Sequence, residues 1–240
     1  MDNVVDPKEL YKKRYEMYGP DNPRALGWGS RESQELRFEA LSKIIHFQNA
    51  SVLDFGCGTA DLCKYLRNKT LWTGDYYGID VVEELIEAAQ AKLEKVNMPG
   101  AWRRMSNPRD YGVTQRVWNH DISEPLKDKY DYCLLSGTLN DRVFAEDDWI
   151  ITNQYMGVGT PKQKDYVYKV IDNMWQTCEI GMAFNLRSSW AWKPKSPEIV
   201  VYDPTTILEH CKEKTSRLSM THAYLPHDFT VYMFKEPWPE

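Results

Sequence analysis

Cysteine and histidine are scarce: each occurs five times in 240 residues. The cysteines, at 57, 63, 133, 178 and 211, are scattered and odd in number, and no two are spaced as paired zinc ligands. This excludes a disulfide scaffold and a cysteine metal centre, and reads as reduced thiols in a cytoplasmic protein. Long apolar runs are missing as well. No segment approaches the roughly 18 apolar residues of a membrane span, and the opening Met1–Glu9 lacks the basic-then-apolar order of a secretory leader, so no membrane partner is expected. Positive charge is not in excess: 30 Lys and Arg against 35 Asp and Glu leave a formal net charge of −5. That balance disfavours wide, salt-driven contact with a phosphate backbone. Internal repeats and low-complexity tracts are absent too.

With 42% hydrophobic residues, the chain can bury the core of one α/β domain over 1–240. Its most informative stretch is Ser51–Leu62. Val52, Leu53 and Phe55 predict a short buried strand. Gly56 and Gly58 predict a turn that a ligand can approach closely, and a helix follows from about Ala60 to Arg67. Such a turn is expected to leave backbone N–H groups free for a nucleotide-like ligand. A dinucleotide fingerprint, G-x-G-x-x-G, would put its third glycine at 61, where this chain has Asp61. The acid sits badly beside a pyrophosphate but suits a ligand with an ammonium group and a sulfonium. It weakens the reading as a dinucleotide-dependent oxidoreductase.

The run Leu53-Asp54-Phe55-Gly56-Cys57-Gly58-Thr59 closely resembles motif I of the class I S-adenosylmethionine-dependent methyltransferases. The resemblance continues along the chain. Tyr76–Asp80 reads as a second strand ending in an acid, followed by a helix from Glu83. Asp80 follows Gly58 by roughly the twenty residues expected of a ribose-binding acid. Val117–Ile122 brings Asp121 after a third strand, and Tyr130–Leu135 is a fourth, ending in Ser136-Gly137-Thr138-Leu139-Asn140. The resemblance implies a doubly wound α/β fold: a mostly parallel seven-stranded sheet, helices on both faces and a C-terminal antiparallel hairpin. It also implies S-adenosyl-L-methionine as cofactor. Asp54, Gly56, Cys57, Gly58 and Asp61 would order the loop and the amino-acid end of that cofactor. Asp80 would hold the ribose, Val81 would lie beneath the adenine, Asp121 and Ile122 would read it, and Ser136 and Gly137 would face cofactor and substrate together.

Outside these motifs the residues leave alternatives open. Pro7–Met17 and Ser30–Phe47 predict helices, the second with an apolar stripe of Leu36, Ala40, Leu41, Ile44 and Ile45. With the loop between them, residues 1–49 would cover the cofactor. Trp28, Ser30 and Arg31 are candidates for its carboxylate end, against a packed Trp and a helix cap. Arg103, Arg104 and Arg109 are either anion contacts or a solvated loop. Residues 141–164 could form a substrate lid. A helix over Asp165–Cys178, a strand at Gly181–Leu186, a helix from Pro204 to about Lys214 and a hairpin over 217–234 complete the pattern.

The reaction implied by the resemblance is methyl transfer by in-line displacement, releasing S-adenosylhomocysteine. Candidates for a base or substrate ligand are Asn140, Asp141, Asn185, Arg187, Tyr224, His227 and Asp228, with no decisive spacing among them. His222 is an ordinary strand or loop histidine by the same standard, and Trp190 and Trp192 are either pocket walls or packing. The Pro-Pro turn of base-amine methylating enzymes is absent after the fourth strand, and no cysteine follows a proline. A small-molecule acceptor therefore ranks above nucleic acid. The competing readings are methylation of a macromolecule and a cofactor-binding interaction module without turnover.

Overall fold

The computed structural model describes residues 6–95, 113–141, 161–190 and 199–236. At its centre Val52–Phe55 (β1) is buried at every position, as a strand covered on both faces must be. It pairs in parallel with Tyr76–Asp80 (β2) on one side and Tyr130–Ser136 (β4) on the other. Gln115–Asn119 (β3) continues the parallel sheet beyond β2, and Cys178–Arg187 (β5) beyond β4. Leu218–Leu225 (β6) and Asp228–Phe234 (β7) form an antiparallel hairpin whose β7 strand adds to β5. The order is β3-β2-β1-β4-β5-β7-β6. The chain leaves β1 for β2 on one side and later returns to β4 on the other. That reversal opens a crevice at the carboxyl ends of β1 and β4, where α/β sheets bind ligands.

Helices cover both faces. On one, Phe55, Phe184 and Leu186 pack against Val170, Ile171 and Met174 of Pro161–Thr177 (α5) and against Ile207 and Cys211 of Pro204–Lys212 (α6). On the other, Val52, Leu134 and Ala183 meet Phe38 and Leu41 of Arg31–Ser42 (α2), Leu62 and Leu66 of Asp61–Lys69 (α3), and Ile86 and Ala89 of Glu83–Leu93 (α4). Each large side chain fully buried in this way contributes about 1.5–3 kcal/mol. Pro7–Tyr18 (α1) lies further out, tied to α4 by a Lys12–Glu84 ion pair.

Two expectations need adjustment. The second helix ends at Ser42, not Phe47, and Ile44 and Ile45 donate to Leu41 and Ser42 in tighter turns leading to β1. Its buried face runs through Gln34, Arg37, Phe38 and Leu41, while Leu36 is 38% exposed. The positions are one helical stripe, at i, i+3, i+4 and i+7. Two of them are polar, so counting apolar residues misses them and adds Leu36, while Ala40, Leu41 and Ile44 of the expected stripe are buried. Ser30 caps this helix, its Oγ accepting from the Ser33 N–H at 3.1 Å.

Candidate functional site

The glycine turn after β1 is built differently from the sequence expectation. Gly56 and Cys57 both donate their N–H groups to the Ile79 carbonyl, at 2.8 and 2.9 Å. Gly58 donates to Asp80 Oδ2 at 2.9 Å, and Ala60 to the Cys57 carbonyl at 2.9 Å. These amides are therefore committed to the protein. The missing side chains make room for the protein itself, since a Cβ at Gly56 would meet Thr138 at 2.2 Å and one at Gly58 would meet Leu26 at 3.0 Å, and the turn keeps few donors for a ligand. Gly56 and Gly58 hold φ of +71° and +52°, the left-handed region that favours glycine.

Asp80 organises the opposite wall. Its Oδ1 accepts from the Val82 N–H at 3.0 Å while Oδ2 holds Gly58, so one carboxylate bridges the ends of β1 and β2. Burial pushes its pKa up, and the N–H groups of Val82 and Gly58 pull it back. Each oxygen keeps a second lone pair for a ligand hydroxyl. Asp54 is also buried and accepts from Tyr76 Oη at 2.7 Å. Burial pushes its carboxyl up to about 7, against the opposing effect of that bond.

Asp61 opens α3 with its carboxylate between Lys92 Nζ, at 2.6 Å, and Gln34 Nε2, at 3.2 Å. Asp121 Oδ1 accepts from Ser123 N–H at 2.8 Å. Beyond β4, Gly137 donates to Asn185 Oδ1 at 3.0 Å, and Asn185 Nδ2 reaches Ser136 Oγ at 3.4 Å.

One cavity of about 220 Å³ sits over these strand ends. Asp54, Gly56, Cys57, Gly58, Asp61, Asp80, Val81, Asp121, Ile122, Ser136 and Gly137 all line it, so the cofactor residues implied by the strand-end motifs face one space. Asn140, Asp141, Arg187 and Trp28 line it as well. Ser30 and Arg31 do not; Arg31 donates to the Asp21 carbonyl instead. Tyr224, His222, His227 and Asp228 are outside the lining. His222 stacks on the exposed Trp190, and Asp228 pairs with Arg37. Arg103, Arg104, Arg109, Trp192 and residues 142–160 lie outside the described residues.

Sequence reasoning missed Tyr11, Leu26, Gln34 and Tyr166 in the wall. Tyr11 comes from α1 and donates its hydroxyl to Asp141 Oδ2 at 2.6 Å. Burial, with the Asp141 charge adding to it, raises the phenol's pKa well above its usual value. No local pattern marks Tyr11, since its partner is 130 residues away. Cys57 is buried and its thiol pKa is raised by that burial, so it is no nucleophile at neutral pH.

Gly137 is a second tight point of the wall, after Gly56. It has φ +74°, and a Cβ built there would stand 2.4 Å from the Trp28 ring. Gly137→Ala is therefore expected to cost about 1–2 kcal/mol for the left-handed backbone alone, with a further loss as Trp28 is displaced. Thermal denaturation of the variant measures the first effect, and S-adenosylhomocysteine affinity the second.

Residues 46–148 match the family described as a methyltransferase domain. A curated protein of Mycobacterium tuberculosis, itself assigned only provisionally as a methyltransferase, is 25% identical over 189 residues, covering 77% of this chain and 93% of the relative. Among solved structures, the fold matches magnesium protoporphyrin IX methyltransferase from Synechocystis, with S-adenosylmethionine bound, at a TM-score of 0.60 and 15% identity, over 98% of this chain and 100% of that one. It also matches the N-methyltransferase NodS from Bradyrhizobium japonicum, in complex with S-adenosylhomocysteine, at a TM-score of 0.56 and 14% identity, over 93% and 97% of the two chains. The fold is that of the class I methyltransferases.

Proposed function

We propose that this protein transfers a methyl group from S-adenosylmethionine to a small-molecule acceptor. The observation that carries this reading is the convergence of the acids and glycines of four strand ends on one cavity. The residues fit the cofactor. Asp80 presents lone pairs from both oxygens to a ribose diol, and Gly56, Cys57 and Gly58 line the cavity beside β1. Asp121 and, once a bound cation draws off its proton, Asp54 place negative charge where an ammonium and a sulfonium need it, while Asp61 already pairs with Lys92. In this reading Val81 and Ile122 sandwich the adenine near Asp121, Gly56, Cys57 and Gly58 underlie the amino-acid end, and Ser136 and Gly137 border the methyl. The whole chain acts as one domain, with α1 and the Trp28 loop covering the cofactor. The five cysteines are all buried thiols, which suits work in a reducing cytoplasm.

When bound, the cofactor would supply a sulfonium-activated methyl group, whose carbon an acceptor nucleophile attacks in line as the C–S bond breaks and S-adenosylhomocysteine leaves. The protein's own residues orient the two partners and exclude water, effects that together lower a barrier by up to about 7–11 kcal/mol. Trp28, Tyr11 and Tyr166 supply the apolar walls for that exclusion.

Calorimetric titration with S-adenosylhomocysteine tests the reading, and saturable one-to-one binding is the expected result. Asp80→Ala is expected to weaken it about 10- to 100-fold, the loss of charge-assisted bonds to the ribose. Absence of binding to the wild-type protein would overturn the proposal.

A further inference from the structure

Asp61 stands in the cavity wall with its charge already answered. Lys92 Nζ, from the last turn of α4, lies 2.6 Å from Asp61 Oδ1 and 2.8 Å from Thr59 Oγ1, and reaches the Pro20 carbonyl at 3.5 Å. The pair is largely enclosed, with the two side chains 12% and 10% exposed. The other oxygen, Asp61 Oδ2, accepts from Gln34 Nε2 at 3.2 Å, and Gln34 is itself only 1% exposed. Each carboxylate oxygen keeps a further lone pair. A resident cation thus sits on an acid that faces the space where a cationic ligand belongs.

The two members of the pair face different spaces. Asp61 lines the cofactor cavity, whereas Lys92 is outside that lining and borders a second cavity of about 430 Å³ between α3, α4 and the segment after α1. Exposed Lys64, Lys95 and Asp21 also line this second cavity. If Lys92 is pushed off Asp61, it therefore has room, water and the acid Asp21 on its own side. Its stem can swing away without crossing the cofactor cavity.

We propose that Lys92 sets the cofactor affinity by competing with the cofactor's ammonium group for Asp61. The assignment rests on the methyltransferase reading, which brings the amino-acid end of the cofactor to Asp61. A carboxylate this enclosed is costly to leave unpaired, so Asp61 without Lys92 would hold only Gln34 and the N-terminus of α3. An arriving ammonium would then restore a missing partner. In the wild type the same group must first displace Lys92 from Asp61 and Thr59, and that exchange subtracts from the binding free energy. S-adenosylhomocysteine carries the same amino-acid end, so Lys92 also favours departure of the product. It acts through Asp61 and takes no part in the bond changes at the methyl.

The test titrates S-adenosylhomocysteine and methylthioadenosine, which share the adenosine and the thioether sulfur and differ in the amino-acid end. Lys92→Met is expected to bind S-adenosylhomocysteine at least about fivefold more tightly than the wild type, although its melting temperature falls. Its affinity for methylthioadenosine is expected to stay as in the wild type. A lysine that merely held the fold together would weaken both ligands on removal. Lys92→Arg keeps a cation on Asp61 and is expected to stay within about threefold of the wild type for S-adenosylhomocysteine. In an Asp61→Asn background, Lys92→Met is expected to bring no gain, because the contested charge is gone. A wild-type measurement does not depend on any variant folding: acetylation of Lys92 by an amine-acylating reagent, read by peptide mass spectrometry, is expected to rise on saturation with S-adenosylhomocysteine and not with methylthioadenosine. Equal or weaker S-adenosylhomocysteine binding by a folded Lys92→Met, an equal gain for methylthioadenosine, or no rise in Lys92 acetylation would overturn the assignment. Failure of the wild type to bind S-adenosylhomocysteine would instead overturn the methyltransferase reading, and this assignment with it.

Discussion

Asp228→Ala is expected to lose about 3–5 kcal/mol of folding stability, because it strands a buried guanidinium. Asp228 is fully buried at the start of β7, and its Oδ2 accepts from Arg37 Nη2. Arg37 is only 2% exposed, and its other contacts include the Ser33 carbonyl and hydroxyl, His227 Nε2 at 3.4 Å and the face of Trp28. None of those carries a negative charge. Water cannot reach the orphaned cation without opening α2 from the hairpin, so the variant pays by local disorder there. Replacing both members, as Arg37→Met with Asp228→Leu, is expected to recover most of the loss, since the buried pair gains little over apolar packing. An exposed pair gives the contrast. Lys169 and Glu124 stand 3.0 Å apart with both side chains more than half exposed, and Glu124→Ala is expected to cost under about 1 kcal/mol. Urea denaturation measures all three. A loss below about 1 kcal/mol for Asp228→Ala would mean that Arg37 finds solvent or another acceptor in the folded chain.

This pair also shows where the sequence stops being informative. The hairpin itself is legible from alternation over Leu218–Leu225 and Asp228–Phe234. That Arg187 stands opposite Asp228 in the register, and that Arg37 from α2 reaches Asp228, depends on contacts 41 and 191 residues apart. Charge patterning cannot supply such pairings, and a buried arginine contradicts the usual expectation that the residue faces water. The cofactor half is legible for the opposite reason. Gly56, Gly58 and Asp80 are demanded by local geometry, a left-handed turn and a strand-end acid, and their spacing survives in the chain. Even there one inference from local geometry fails: the turn's amides go to Ile79 and Asp80, because β2 lies alongside and captures them first. Tyr11 and the capture of Asp61 by Lys92 are illegible on the same grounds as Arg37.

Asp54 should give the protein a pH-dependent stability that Asp54→Asn removes. Its carboxyl is fully enclosed, with Tyr76 Oη on one oxygen and the acids Asp80 and Asp61 as charged neighbours. Burial raises its pKa from 3.8 to about 7 in the folded chain, the Tyr76 bond lowering it and the two acids adding to the rise. The unfolded chain releases the proton near the ordinary value, so between the two the folded state binds more protons. Stability is then greatest below about pH 4 and falls as pH rises through about 7, by at most about 1.4 kcal/mol per pH unit. Above that range the cost is constant. Asp54→Asn keeps an acceptor for Tyr76 without a charge to bury, so it should be the more stable protein at pH 8 and nearly equal at pH 4. Urea melts of both proteins across that range test the sign. A gap that is the same at both ends, or largest at pH 4, would show that Asp54 is not held protonated by the fold. The same proton should leave when a cation occupies the cavity, because an adjacent positive charge favours the carboxylate. Titrating S-adenosylmethionine at pH 6 in buffers of different ionisation enthalpy should then reveal proton release for the wild type and less for Asp54→Asn.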